Sequence, residues 1–297
     1  GPATALYGSN AMHGVINVIS AAPTEEIDNR LALEAGPYDY YRAKYRYSNT
    51  IGKHGISVSA NGTTDGGYKD DSDYDQQKVT VRHDYAGQHW DVRTVLDAAN
   101  LNQNTAGFVE GYQAYKDSDL KKRNPNPNAY RDAWSVRLYS AASIALNDTN
   151  TLTVTPYLRD NDMEFLQHYL PWQPVEENAH DSLGLRATLQ TNTDTLRWIN
   201  GIDMEYTNAS LKETQDEDFS PNQPAGVHYD YQVNATGGAI YSQLRTQSDS
   251  PWEIDGGVRL EYTHYDYNNK TADGAPCGPA ATACRFYRPS DREDSFT

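Results

Sequence analysis

Long apolar runs are missing from this sequence. No stretch approaches the roughly 18 consecutive apolar residues of a transmembrane helix, so a helical membrane span is excluded. A barrel strand is not, because alternating strands leave only a weak hydropathy signal. Positive charge is also scarce: 25 Lys and Arg against 41 Asp and Glu leave a formal charge of −16. Phosphate recognition needs a basic face, so nucleic acid is an unsuitable partner. Phe (5) and Met (3) are few, and cysteine is limited to Cys277 and Cys284 in a Pro/Gly/Ala-rich stretch. That pair fits one disulfide and an oxidising compartment on the periplasmic or cell-surface side. A zinc site would want more ligands than these provide. An initiator Met and a signal peptide are lacking too, and the reading that follows is of a fragment or processed segment.

Tyrosine is abundant, at 23 residues, in a chain whose mean hydropathy is −0.81. Disordered chains are poor in aromatic and β-branched residues. A polar, Tyr-rich chain instead fits strands with one greasy face and rings at a water boundary. Period-two alternation recurs accordingly. Tyr41, Ala43, Tyr45 and Tyr47 alternate with Arg42, Lys44, Arg46 and Ser48. Trp90, Val92, Thr94 and Leu96 alternate with Asp91, Arg93 and Asp97, and Leu183, Leu185, Ala187 and Leu189 with Gly184, Arg186 and Thr188. Trp252, Ile254, Val258, Leu260 and Tyr262 continue the pattern, whereas 238–245 gives no clear faces. Short Gly/Asn/Asp/Pro turns (51–55, 86–89, 146–150, 192–194, 248–251) alternate with longer polar segments (65–75, 104–130, 165–178, 209–230, 268–293). Only the connection at Gly36-Pro37-Tyr38-Asp39 is short on the long side. Such alternation is that of an outer-membrane barrel, with short periplasmic turns and long extracellular loops. The count is about eleven strands, with Arg42, Arg46, Arg82, Arg93, Arg137, Arg186 and Arg197 on the lumen side, where water can solvate them. Pro156, inside a strand, predicts a bulge.

The first residues read Gly1-Pro2-Ala3-Thr4-Ala5-Leu6-Tyr7-Gly8-Ser9-Asn10-Ala11-Met12-His13-Gly14-Val15-Ile16-Asn17-Val18-Ile19-Ser20. This run resembles the stretch that closes the plug domain of TonB-dependent outer-membrane receptors, with Gly1, Pro2, Tyr7, Gly8, Gly14 and Asn17 at matching places. His13 departs from the glycine common there. The resemblance implies an all-β fold: the last plug strand, over residues 14–19, followed by about eleven strands of an antiparallel transmembrane barrel of about 22 strands that the plug occludes. It divides the chain at 1–22 (end of plug) and 23–297 (first half of the barrel). It further implies TonB-driven uptake of an iron complex, most simply a ferric siderophore, across a Gram-negative outer membrane. Cobalamin, haem or another bulky nutrient is the alternative cargo, and a passive porin or adhesin barrel the alternative class. The implied partners are the chelate, the TonB energy-transducing protein acting through a preceding region, and outer-membrane lipid around a monomeric full-length barrel.

Motifs for nucleophile elbows, zinc proteases, P-loops and dinucleotide cofactors are missing, so neither catalysis nor a cofactor is expected. Asp71, Asp73 and Asp75 begin like a calcium loop, but Gln76 and Arg82 stand where an EF-hand needs Gly and Glu, and no metal site is assigned. For ligand binding, the long segments offer aromatic rings and fixed positive charge suited to an anionic chelate. Tyr112, Tyr115, Tyr130 and Arg131 belong to one outward connection, and Arg159, His168, Tyr169 and Trp172 to the next. The two are expected to converge above the plug. The plainer account of any single ring is a girdle at the membrane interface.

Overall fold

The computed structural model describes residues 4–8, 13, 15–247, 252–278, 281, 282, 285, 286 and 288–297. After a single helical turn, Thr4–Tyr7, the chain crosses to a twelve-stranded antiparallel sheet. Its first six strands are β1 (Asp28–Gly36), β2 (Tyr40–Ile51), β3 (His54–Asp65), β4 (Tyr74–Ala86), β5 (Trp90–Asn104) and β6 (Tyr130–Ala145). The rest are β7 (Asn150–Leu166), β8 (Val175–Asn192), β9 (Leu196–Gln215), β10 (Gly226–Thr246), β11 (Asp255–Asn269) and β12 (Asp291–Phe296). Each strand pairs only with its neighbours in sequence. The count exceeds the expected eleven because β12 lies where the sequence reads as the end of a loop. Loops are also tighter than expected: β9 and β10 run on to leave only 216–225 between them. Their polar ends continue the ladder because strand pairing needs backbone groups, not apolar side chains. The expected turn at 248–251 lies outside the described residues.

The alternation sorts the side chains onto two faces as the sequence predicts. Leu183 and Leu185 of β8, Ile202, Met204 and Tyr206 of β9, and Val258, Leu260 and Tyr262 of β11 all point outward and remain exposed. The 238–245 stretch resolves the same way, with Ile240 and Leu244 outward and Ala239 and Tyr241 buried on the inner face. An apolar outer surface of this kind is what the lipid-facing wall of a transmembrane barrel carries. Towards the long-loop end it gives way to carboxylates: Asp132, Glu164 and Glu177 stand directly opposite one another on β6, β7 and β8. Asp160 and Asp181 oppose one another lower on the same face of β7 and β8, and like charges in a row are tolerable only where water screens them, so on these strands the apolar band ends below that pair.

Pro156 produces no bulge. The β6–β7 register is the same on both sides of it, the ladder simply lapsing between Tyr139↔Tyr157 and Ala142↔Val154, while Pro156↔Leu185 keeps its place against β8. One missing donor costs a ladder bond without requiring an extra residue. The register shift that does occur falls between Val227 and Tyr229 of β10, at His228.

Two glycines shape the inner wall. A Cβ on Gly184 would coincide with the Tyr157 ring, and one on Gly201 with the Tyr241 ring. Each ring lies across the neighbouring strand and reaches the next: the Tyr157 hydroxyl bonds Glu205 on β9, and the Tyr241 hydroxyl lies 2.9 Å from Thr188 Oγ1 on β8. Gly184→Ala is therefore expected to displace the Tyr157 ring and cost about 1–3 kcal/mol as an overpacking change. Denaturant unfolding checks this, and the Gly184→Ala/Tyr157→Ala double variant should recover part of the loss, as a coupled pair does.

Candidate functional site

The N-terminal segment lies against the inner face of the sheet. Gly8, buried at φ +89°, sits where an added Cβ would be 3.2 Å from Glu261 Oε2 of β11. Further on, the Ser20 carbonyl accepts a bond from Arg82 of β4, and the Thr24 amide donates to Ser48 Oγ of β2 at 2.8 Å. The segment thus spans from β10–β11 to β2–β4 across the face that carries the charges. Along its path Arg259 pairs with Asp203 at 2.8 Å and with Glu261 at 2.7 Å, and Arg159 pairs with Glu205 at 2.6 Å. Cavities remain between segment and wall. One of about 400 Å³ touches Leu6, Gly8, Arg186 and Arg259, and one of about 730 Å³ touches Val18, Ser20 and Ala21; Arg159 lines both.

At the long-loop end the connections form two groups. Loop 105–129 folds onto loop 66–73: the Asp70 amide donates to the Lys122 carbonyl at 2.8 Å, and Asn124 Nδ2 to the Asp71 carbonyl at 2.9 Å. Lys122 also stands over the Tyr38 ring, 5.8 Å from its centre. Within this group Asp117 caps a turn, accepting from the Leu120 and Asp119 amides at 2.8 and 3.0 Å, and those bonds hold its carboxyl below the ordinary aspartate range. The second group joins loops 167–174, 216–225 and 270–290. Arg285 lies 5.0 Å from the Trp172 ring centre and 5.4 Å from that of Phe286. Trp172 also meets Phe219, at 6.0 Å. Phe286 stacks on His228 at 4.2 Å. The bulge lets His228 turn inward, where Nε2 donates to the Pro224 carbonyl at 2.7 Å and Nδ1 lies 2.9 Å from the buried Glu213 carboxylate. His228 and Phe286 are both 2 % exposed, so this corner is packed like a core.

The residues singled out in the sequence are thereby distributed. Tyr112 and Tyr115 are exposed in loop 105–129. Tyr130 starts β6, shares the outward face with Trp134, and bonds Glu164 across the strand pair. Arg131 stacks on Phe165, 5.5 Å from its ring centre. Arg159 is not in a loop at all; it lies within β7 on the inner wall. His168 and Tyr169 meet edge to face at 6.0 Å in loop 167–174, with Tyr169 exposed. Trp172 turns towards loops 216–225 and 270–290, away from the expected neighbour 105–129. Of the motif residues, Gly8 touches the wall, Tyr7 closes the helical turn and Asn17 is exposed, while Gly1, Pro2 and Gly14 lie outside the described residues. The expected strand over 14–19 has no ladder partner among the described residues: Ile16, Val18 and Ile19 are exposed and unpaired. Cys277 is disulfide-bonded, and Cys284 lies outside the described residues. His228, Phe219, Arg285 and Phe286 went unmarked in the sequence. The only signal was aromatics beside Arg in otherwise polar segments.

No protein-family model matches the sequence, and no curated protein does. Solved structures match over its whole length. The open form of the ferric-catecholate import receptor Fiu from E. coli K12 gives a TM-score of 0.74 at 14 % identity, over 100 % of this chain and 54 % of that one. The siderophore receptor PiuA from Acinetobacter baumannii gives 0.73 at 12 % identity, over 100 % and 49 %. The ferric yersiniabactin uptake receptor FyuA from Yersinia pestis gives 0.72 at 17 %, over 100 % and 46 %. The chain spans about half the length of these structures. Over that half it shares the antiparallel barrel fold of these receptors, the fold that the opening motif implied.

Proposed function

We propose that this chain is the end of the plug and the adjoining half of the barrel of an outer-membrane receptor for TonB-dependent uptake of an iron complex, most simply a ferric siderophore. The observation that carries this reading is the motif-bearing N-terminal segment laid across the charged inner face of a sheet whose outer face is apolar. A passive porin has no use for such an obstruction. A receptor does, because the occluding part must yield only when work is delivered. The outer membrane has no ATP and no sustained ion gradient, so that work comes through a partner on the periplasmic side. A ferric complex or a siderophore is the cargo named for each of the three receptors above, although a copper transporter shares the fold. The test uses full-length receptor in a strain lacking its other iron receptors. Growth under iron limitation should depend on at least one ferric siderophore and on TonB. Growth rescued by cobalamin or haem alone would move the cargo to that class, and TonB-independent permeation of small solutes would replace the receptor with a porin.

A further inference from the structure

At the short-turn end of β2 to β5 the outward positions carry Ile51, Ile56, Val81 and Val92, and set among them are His54 and His83. This is the outer face, away from the inner wall where the N-terminal segment lies. His54 opposes Tyr85 and His83 opposes Ile56, so the two imidazoles meet on a diagonal across β3 and β4. His54 Nδ1 and His83 Nε2 are 3.1 Å apart, and the rings stack with centres 5.3 Å apart. Tyr85 lies 4.9 Å from His54 and Trp90 4.7 Å from Tyr85, ring centre to ring centre, and Trp90 is exposed. Aromatic rims of this kind mark the level at which a barrel wall meets water. The partnering is unlike that of His228 and His264, each of which faces a carboxylate. These two face each other.

We propose that His54 and His83 form a chelating site for a late first-row divalent ion (Zn²⁺, Cu²⁺ or Ni²⁺) on the outer rim at the short-turn end. Two metal–nitrogen bonds of about 2.0–2.1 Å meeting at about 100° set their nitrogens about 3.1 Å apart. The two rings already have that separation, so an ion is taken without moving either strand. The hydrogen bond between the rings holds one N–H in the contact. When an ion binds, that proton goes to the far nitrogen of its own ring, giving the other tautomer, and both lone pairs face the metal. Imidazole suits these ions, whereas Mg²⁺ and Ca²⁺ take oxygen ligands. Among the described residues no third His, Cys, Asp or Glu joins the pair, so water fills the remaining positions. The site is independent of the cargo.

The experiment titrates Zn²⁺ into the full-length receptor in detergent, free of any histidine tag. Wild type is compared with His54→Gln, His83→Gln and the double variant. Glutamine keeps a polar partner for the remaining ring while removing a ligand. Each single change should weaken one zinc-binding event by about tenfold or more, since losing even an outer-shell partner costs that much. The double change should add little, because either arm alone is no chelate. Excess Mg²⁺ should not compete. With Cu²⁺ as the probe, the electron paramagnetic resonance spectrum should show two coordinated nitrogens in wild type and one in either single variant. Zinc binding equal in wild type and double variant would overturn the proposal, and so would single losses that simply add, the mark of two independent imidazoles. A lowered melting temperature with zinc binding unmoved would overturn it too, leaving the pair as a hydrogen bond that ties β3 to β4.

Discussion

Replacing Leu185 with arginine is expected to destabilise the inserted protein by about 2–4 kcal/mol, the cost of a cation on the lipid face near the bilayer midplane. Leu185 points outward from β8 with Pro156 opposite it on β7 and Met204 on β9, in a row that continues through Gly238 to Tyr262. It lies well inside the strand, between Val175 and Asn192, so a long cationic side chain has no short route to either interface. Its neighbour Arg186 faces the other way. There it stacks on Tyr157, 5.5 Å from the ring centre, stands opposite Asp203, and borders the smaller cavity. Arg186→Leu removes a cation–π contact worth about 0.5–2 kcal/mol and should leave membrane assembly intact. Unfolding of the full-length variants from lipid vesicles measures both. Equal damage from the two would place the strand one residue out of register, because a slip of one exchanges the faces.

That comparison depends on what the sequence makes legible. A strand's faces follow from a period of two, so Tyr41 to Ser48, Trp90 to Asp97 and Leu183 to Leu189 could be oriented without any knowledge of their neighbours. Turn chemistry separated the two ends of the sheet in the same local way. What stayed hidden depends on partners distant in sequence. Gly184 reads as an unremarked polar-face position until the Tyr157 ring is seen across it. His228 looks like a lone histidine until the shift at Val227/Tyr229 turns it towards Glu213 and Phe286. Arg159 reads as a loop residue because the polar run after it looks irregular, yet β7 continues through Asp160 to Glu164, since ladder pairing uses backbone groups that a polar run supplies equally well. The grouping of loops is the hardest case. Nothing in the sequence of 167–174 names 270–290 as its neighbour across β8 to β11.

The loop grouping decides which aromatic ring should matter most for binding. In the full-length receptor, Trp172→Ala is expected to weaken iron-complex binding by about 2 kcal/mol or more, roughly thirtyfold, the loss typical of an aromatic anchor. Trp172 sits against Arg285 and Phe219, so ring and guanidinium already form the stacking, positively charged surface that a flat anionic chelate needs. Among the described residues its indole N–H is buried without a partner, a donor that an oxygen of the ligand can satisfy. Tyr130→Ala should do far less, because that hydroxyl is spent on Glu164 and the ring shares the outward face with Trp134. Trp172→Phe separates the two contributions, keeping the ring and removing the N–H. It should fall between wild type and Trp172→Ala. Binding of a panel of ferric siderophores to variants that reach the membrane at wild-type levels is the measurement. If Trp172→Ala binds every iron complex as wild type does, the ring serves to bolt loop 167–174 to 216–225 and 270–290, and recognition lies with the inner wall.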